Sequence, residues 1–132
     1  MKKPAFPTEN DLITGWLDLN SAEDGSPEYE ESFWSFMMFD DLVDEFPDDA
    51  LRVICKILAV NDSFEVKGTL SAGAMEDLLV RHGADVIHDV ERIARETSSF
   101  ASMLGGVWQR DMDKDIWDRL NAVWDRRGWD GN

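Results

Sequence analysis

The chain has 132 residues, 43% hydrophobic and 11% aromatic, which is too apolar for a disordered acidic segment and sufficient for one core without disulfides or metal. Its formal net charge is −15, and the imbalance is concentrated: residues 1–50 hold two basic and fourteen acidic side chains, residues 51–132 eleven and fourteen. Charge of that sign and placement argues against nucleic-acid and membrane-surface binding and favours a basic protein as partner.

The composition predicts one helical domain over residues 1–132, with frayed tails at 1–7 and 126–132. The start, MKKPAFPTEN, has no apolar run behind its lysines and does not read as a signal peptide. No stretch approaches the roughly 18 apolar residues of a membrane span. Cys55 stands alone among apolar neighbours, so it reads as a buried free thiol and points to a reducing, cytoplasmic setting.

Helical signals run nearly throughout. Thr8 with Asp11 has the form of a capping box, and Leu12, Ile13, Trp16 and Leu17 make the face of a first helix that fades near Asn20. The segment NSAEDGSP is a loop by composition, with Ser26 and Pro27 as N-cap and first residue of a second helix that ends near Phe46, before Pro47. Pro47, Asp48 and Asp49 open a third helix through Leu51, Ile54, Cys55 and Leu58, ended by Asn61 and Asp62.

Phe64, Val66 and Leu70 suit a short helix, which Gly73 is expected to break. Met75, Leu78 and Leu79 then form another, closed by Gly83 as a left-handed C′ residue. Val86, Ile87, Val90, Ile93 and Ala94 recur at helical spacing. Ser98 or Ser99 caps a short helix that Gly105-Gly106 ends. Asp113 caps the last, whose face is Ile116, Trp117, Leu120, Val123 and Trp124, and Trp129 is a candidate to dock. The expected fold is all-α: six or seven short antiparallel helices in an orthogonal or HEAT-like array.

The second helix is the most informative element. On a helical wheel Phe36, Phe39, Leu42, Val43 and Phe46 gather as a core face, opposite Glu30, Glu31, Asp40, Asp41, Asp44 and Glu45. Phe33, Trp34, Met37 and Met38 fall on the acidic side, so its first half is apolar all round. In one reading the first helix covers that half through Trp16 and Leu17. In another, Trp34 and Met37 stay partly open beside Asp40, Asp41, Asp44 and Glu45, with Asp48 and Asp49 extending the acidic surface, and together they dock a basic protein; a third keeps Trp34 buried and uses only the carboxylates.

No catalytic constellation stands out. His88 and Glu91, one helical turn apart, lack a visible third metal ligand, and the scattered arginines read as solvated helix charges. No metal or cofactor is expected.

The stretch LSAGAMEDLLVRHGADVIHDVERIA, followed by FASMLGGVWQRDM, resembles a family of uncharacterised bacterial helical domains. Leu70, Ala72, Gly73, Glu76, Asp77, Leu78, Leu79, His82 and Gly83, then Leu104 to Trp108, carry the likeness; Ala74 stands where the pattern has Pro. The resemblance implies a bacterial, cytoplasmic, all-helical protein and carries no activity. Its polar members, Glu76, Asp77 and His82, are candidates for a buried polar network or for a site.

These readings favour an acidic protein-binding module, most concretely an immunity protein or antitoxin-type inhibitor of a basic bacterial partner such as a toxin nuclease. A regulatory or adaptor domain, self-association included, is the alternative, with a metal-dependent enzyme built on Glu76, Asp77 and His82 behind it.

Overall fold

A computed structural model describes residues 1–129, and those residues are all-helical. The elements are α1 (Glu9–Ser21), α2 (Pro27–Glu45), α3 (Pro47–Val60), α4 (Phe64–Leu70), a π-helical turn (Ser71–Met75), α5 (Glu76–Glu96), α6 (Ser98–Leu104) and α7 (Lys114–Asn121). No helix among the described residues is long and apolar enough to cross a membrane.

Local chemistry sets the early boundaries. The Asp11 N–H donates to Thr8 Oγ1 at 3.1 Å and the Thr8 N–H donates to Asp11 Oδ2 at 2.9 Å, a reciprocal cap on α1. The Tyr29 N–H donates to Ser26 Oγ at 3.1 Å, and Pro27 follows as the first residue of α2. Phe46 leaves helical geometry at φ −134° and ψ 68°, as the residue before a proline is forced to do, and α3 starts at once on Pro47.

Further along, tertiary packing overrides local signals. Gly73 does not break the chain: α4, the π turn and α5 run continuously. Glycine costs a helix only about 1 kcal/mol, and fully buried Leu70, Met75, Leu78 and Leu79 flank it. Gly83 is not a left-handed terminus either. It lies inside α5, where an added Cβ would come within 3.0 Å of Ile116 Cγ1, so its role is the close crossing of α7. Instead of ending, α5 kinks one residue earlier, at His82 (φ −135°, ψ 23°).

The later caps also differ from expectation. Thr97, not a serine, is the N-cap residue of α6, and Asp113 precedes α7 without a side-chain cap bond. Helix α7 stops at Asn121, so Val123 and Trp124 pack on the core from a following turn.

The core gathers around α3, the end of α4, the π turn and the first half of α5, where Ile54, Ile57, Leu70, Met75, Leu78 and Leu79 are fully buried. Single residues of the end segments make specific contacts. The Met1 amine donates to Ser32 Oγ, and Trp34 Nε1–H donates to the Met1 carbonyl at 2.9 Å. Trp129 does dock: its Nε1–H donates to the Ser102 carbonyl at 2.7 Å, and its ring lies against Phe64. The rest of the expected frayed tail, residues 130–132, lies outside the described residues.

Candidate functional site

Helix α2 packs on α1 through one side and leaves another side open. Phe39 and Val43 are buried, with Phe39 edge-on to Trp16 of α1. Ser32 and Ser35 are buried as well, and the Ser35 hydroxyl is satisfied by the Ser32 carbonyl at 2.6 Å. These small residues bring α1 close: a Cβ on Gly15 would lie 2.8 Å from Trp34 Cζ2 and 3.1 Å from Ser35 Cβ.

Trp34 is half-buried: its ring lies against Gly15 and its N–H donates to the Met1 carbonyl. Gly15 of α1 and the amino-terminal residue are what lie against it. A glycine inside an apolar helix face was the available signal.

The open side carries other aromatics. Met37 is 59% exposed, Phe36 51% and Phe33 39%. Phe33 and Phe36 stack at 5.5 Å, and Tyr29 adjoins Phe33 at 6.0 Å. Phe36 was expected in the core, as was Phe46, which is also mostly exposed. The wheel has Phe36 at the edge of the buried arc, and α1 covers only the arc around Phe39 and Val43; Phe46 follows the last residue of α2 with non-helical backbone, so the wheel does not place it. Residues 29, 33, 36, 37, 40 and 44 share one side by their i+3 and i+4 spacing. That side is therefore apolar in the first half of α2 and acidic in the second.

The predicted carboxylates divide into two sets. Asp40 and Asp44 face α5, where Arg81 Nη1 lies 3.4 Å from Asp40 and 4.0 Å from Asp44. Asp49 pairs with Arg52 at 2.9 Å. Asp41, Glu45 and Asp48 are exposed, and no cation among the described residues pairs with them.

Between α1, α2 and the π turn lies a cleft of about 290 Å³. Trp16, Phe39 and Val43 are its apolar floor, Tyr29 and Phe36 join it to the exposed aromatic ridge, and Asp24, Asp40 and Asp77 bring carboxylates to it. Gly73 and Ala74 form the far wall, so the π turn sits directly on the cleft. A Cβ on Gly73 would meet nothing within 4 Å.

Glu76, Asp77 and His82 do not converge. The buried Glu76 carboxylate accepts from Arg110 Nη1 at 2.9 Å and from the Trp108 N–H at 3.4 Å. Asp77 accepts from the same guanidinium at 3.2 Å. These contacts raise the Arg110 pKa further, through the hydrogen bonds to Glu76 first and Asp77 second. His82 points elsewhere, with Nε2 2.9 Å from the Asp44 carbonyl. A carbonyl only accepts, so Nε2 carries the proton and satisfies one of the last carbonyls of α2.

His88 and Glu91 are not joined by a third ligand; Arg119 donates to both oxygens of Glu91, at 3.1 and 2.5 Å, and holds its carboxyl below the usual range. No group of three His, Cys, Asp or Glu among the described residues is arranged to hold a metal ion. Cys55 is free and half-buried, and burial pushes its thiol pKa up, which leaves it a poor nucleophile.

The glycine pair before Trp108 also acquires a role. A Cβ on Gly105 would fall 2.1 Å from the Asp125 carbonyl oxygen, and one on Gly106 2.5 Å from Ser71 Oγ and 2.7 Å from the Trp129 ring. The C-terminal segment thus packs directly on bare backbone, while Trp108 itself is 73% exposed.

The model of a family of unknown function, DUF6869, matches residues 22–128. That span takes in α2, the π turn, the Glu76–Arg110 contact and the docking position of the C-terminal segment, and it omits α1. No curated protein and no solved structure matches the chain.

Proposed function

The chain belongs to DUF6869, a family of unknown function, and from that premise we propose that it is an acidic protein-binding module that docks a basic partner through α2. One observation carries the proposal: Phe33, Phe36 and Met37 stand exposed on the same helix as Asp41 and Glu45, whose charges have no internal partner among the described residues. Exposed aromatics supply the area that becomes affinity, and unpaired carboxylates supply steering and selection for positive charge. A second copy of the chain is a poor occupant of this face, since two molecules of net charge −15 repel.

In its most concrete form the reading is an immunity or antitoxin-type inhibitor, in a bacterial cytoplasm, that covers the basic surface of a toxin such as a nuclease. A carboxylate surface backed by aromatic anchors is the complement of a nucleic-acid site. A reducing compartment suits the free Cys55 thiol.

The test is capture from source cells with the tagged chain, followed by the double variant Phe33→Ser with Met37→Ser. Both residues lie outside the core, so the fold should survive. The expected result is a strongly basic protein retained by the native chain and lost with the variant. Retention by the variant, or a captured protein with no basic surface, contradicts the proposal.

A further inference from the structure

We propose that the cleft between α1, α2 and the π turn is the seat of an arginine side chain presented by the basic partner, an inference that rests on the docking reading above and names its specificity element. The cleft's floor is aliphatic and aromatic, its rim is aromatic and its charged groups are carboxylates, beside Asn20 and Thr69, which donate to the Trp16 and Glu65 carbonyls of their own helices. That order of surfaces matches one chemistry: an apolar stem ending in a flat cation.

The size agrees. Pockets for small-molecule ligands run about 300–1,000 Å³, so a cleft of about 290 Å³ suits one side chain better than a cofactor. The charge agrees as well. Arg81 and Arg110 are the guanidiniums that pair with the cleft's Asp40 and Asp77 among the described residues, and they are shared among four carboxylates: Arg81 with Asp40, Asp44 and Asp77, Arg110 with Glu76 and Asp77. A residual negative charge remains at the cleft, to which Asp24 adds. Arginine is favoured over lysine because a guanidinium plane stacks on aromatic faces and forks onto carboxylates, whereas a compact ammonium does neither. Tyr29 and Phe36 provide the faces; Asp40 and Asp77 provide the oxygens.

The π turn has a place in this arrangement. Ser71 to Ala74 are small, and Gly73 presents no side chain to the cleft it lines. A leucine at that position would occupy the space the guanidinium needs.

The experiment is amide and indole NMR on the full chain, titrated with N-acetyl-arginine amide, its lysine and norleucine counterparts, and the citrulline analogue, which keeps the shape without the charge. Saturable shifts at Gly73, Ala74 and the Trp16 indole with the arginine probe, at least tenfold weaker with each of the others, are the expected result. Gly73→Leu should abolish the shifts while keeping the dispersion of the spectrum. Phe36→Ala, which alters only the rim, should weaken binding at least threefold and serves if Gly73→Leu fails to fold. Equal binding of citrulline or norleucine would make the cleft an apolar site and overturn the proposal; equal binding of lysine would overturn the guanidinium assignment. Arginine shifts confined to Asp41, Glu45 and Asp48 would overturn it too. If the probe fails while loss of Phe33 and Met37 still releases the basic partner, the cleft assignment falls and the docking reading stands.

Discussion

Glu76 Oε1 accepts a hydrogen bond from Arg110 Nη1 at 2.9 Å, and that contact fastens a residue whose backbone sits at φ 45°. A non-glycine residue in the left-handed region carries about 1–3 kcal/mol of strain. The strain persists because the same guanidinium reaches Asp77, and the Trp108 N–H reaches Glu76. The connection between α6 and α7 is thereby pinned to the start of α5, beside the cleft.

Glu76→Ala should therefore destabilise the protein by about 1 kcal/mol, the net worth of an intramolecular hydrogen bond whose donors, on Arg110 and Trp108, can turn to water when the carboxylate is lost. Urea denaturation checks this. Amide exchange should rise at Trp108 and Arg110 before it rises in α3. A variant as stable as the native chain would show that the carboxylate is not what holds the connection.

The glycines separate into two kinds. Gly105→Ala sets a Cβ against backbone at 2.1 Å, and a backbone carbonyl cannot swing aside. It should cost about 1–3 kcal/mol or more. Gly73→Ala meets nothing within 4 Å and should fall within about 1 kcal/mol of the native chain, with any change in the stabilising direction from helix propensity. Parallel urea melts of the two variants distinguish them; similar losses would contradict the packing described for Gly105.

Much of the fold was legible because its first half is governed by local chemistry. Thr8 with Asp11, Ser26 with Pro27, and Phe46 before Pro47 each mark a boundary through bonds or sterics within a few residues. Gly73 and Gly83 carry the same letters as a helix stop, yet both are helical, because their roles are set by what lies across from them: a cleft for one and Ile116 for the other. The site shows the same division. The acidic half of α2 is readable from its wheel. That Trp34 is half-buried and Phe36 is open depends on where α1 crosses, and Gly15 was the one trace of that crossing in the sequence.

Trp34→Ala should cost about 2–3 kcal/mol, less than the 3–5 kcal/mol of a fully buried aromatic, because half-buried Trp34 packs on Gly15 and bonds to Met1. It should leave capture of the basic partner unchanged once both proteins are compared well below their melting temperatures. Loss of capture with an intact fold would place Trp34 on the docking surface.

Acid titration should expose a C-terminal contribution. Hydrogen bonds from the Arg127 side chain, then from its backbone N–H, depress the Asp125 pKa from 3.8 to about 2. A depressed acid stabilises the fold fully above its unfolded value, and that stabilisation fades as pH falls from about 4 to about 2. Asp125→Asn should thus melt below the native chain at pH 6, and the gap should close by pH 2. A gap that is constant with pH would show that the Asp125 charge contributes nothing to the fold. Taking the difference between variants removes the relief of self-repulsion that acid brings to a chain of net charge −15.

The central claim is that unpaired carboxylates on α2 steer and hold a positively charged protein. Its most direct measurement is the Kd of the captured partner across a range of sodium chloride concentrations, for the native chain and for the double variant Asp41→Lys with Glu45→Lys. Neither residue has an internal partner among the described residues, so the fold should be unaffected. The native complex should weaken steeply with salt, and the double reversal should raise Kd by about tenfold or more at low salt and flatten the dependence. An unchanged Kd with an unchanged salt slope would contradict the account.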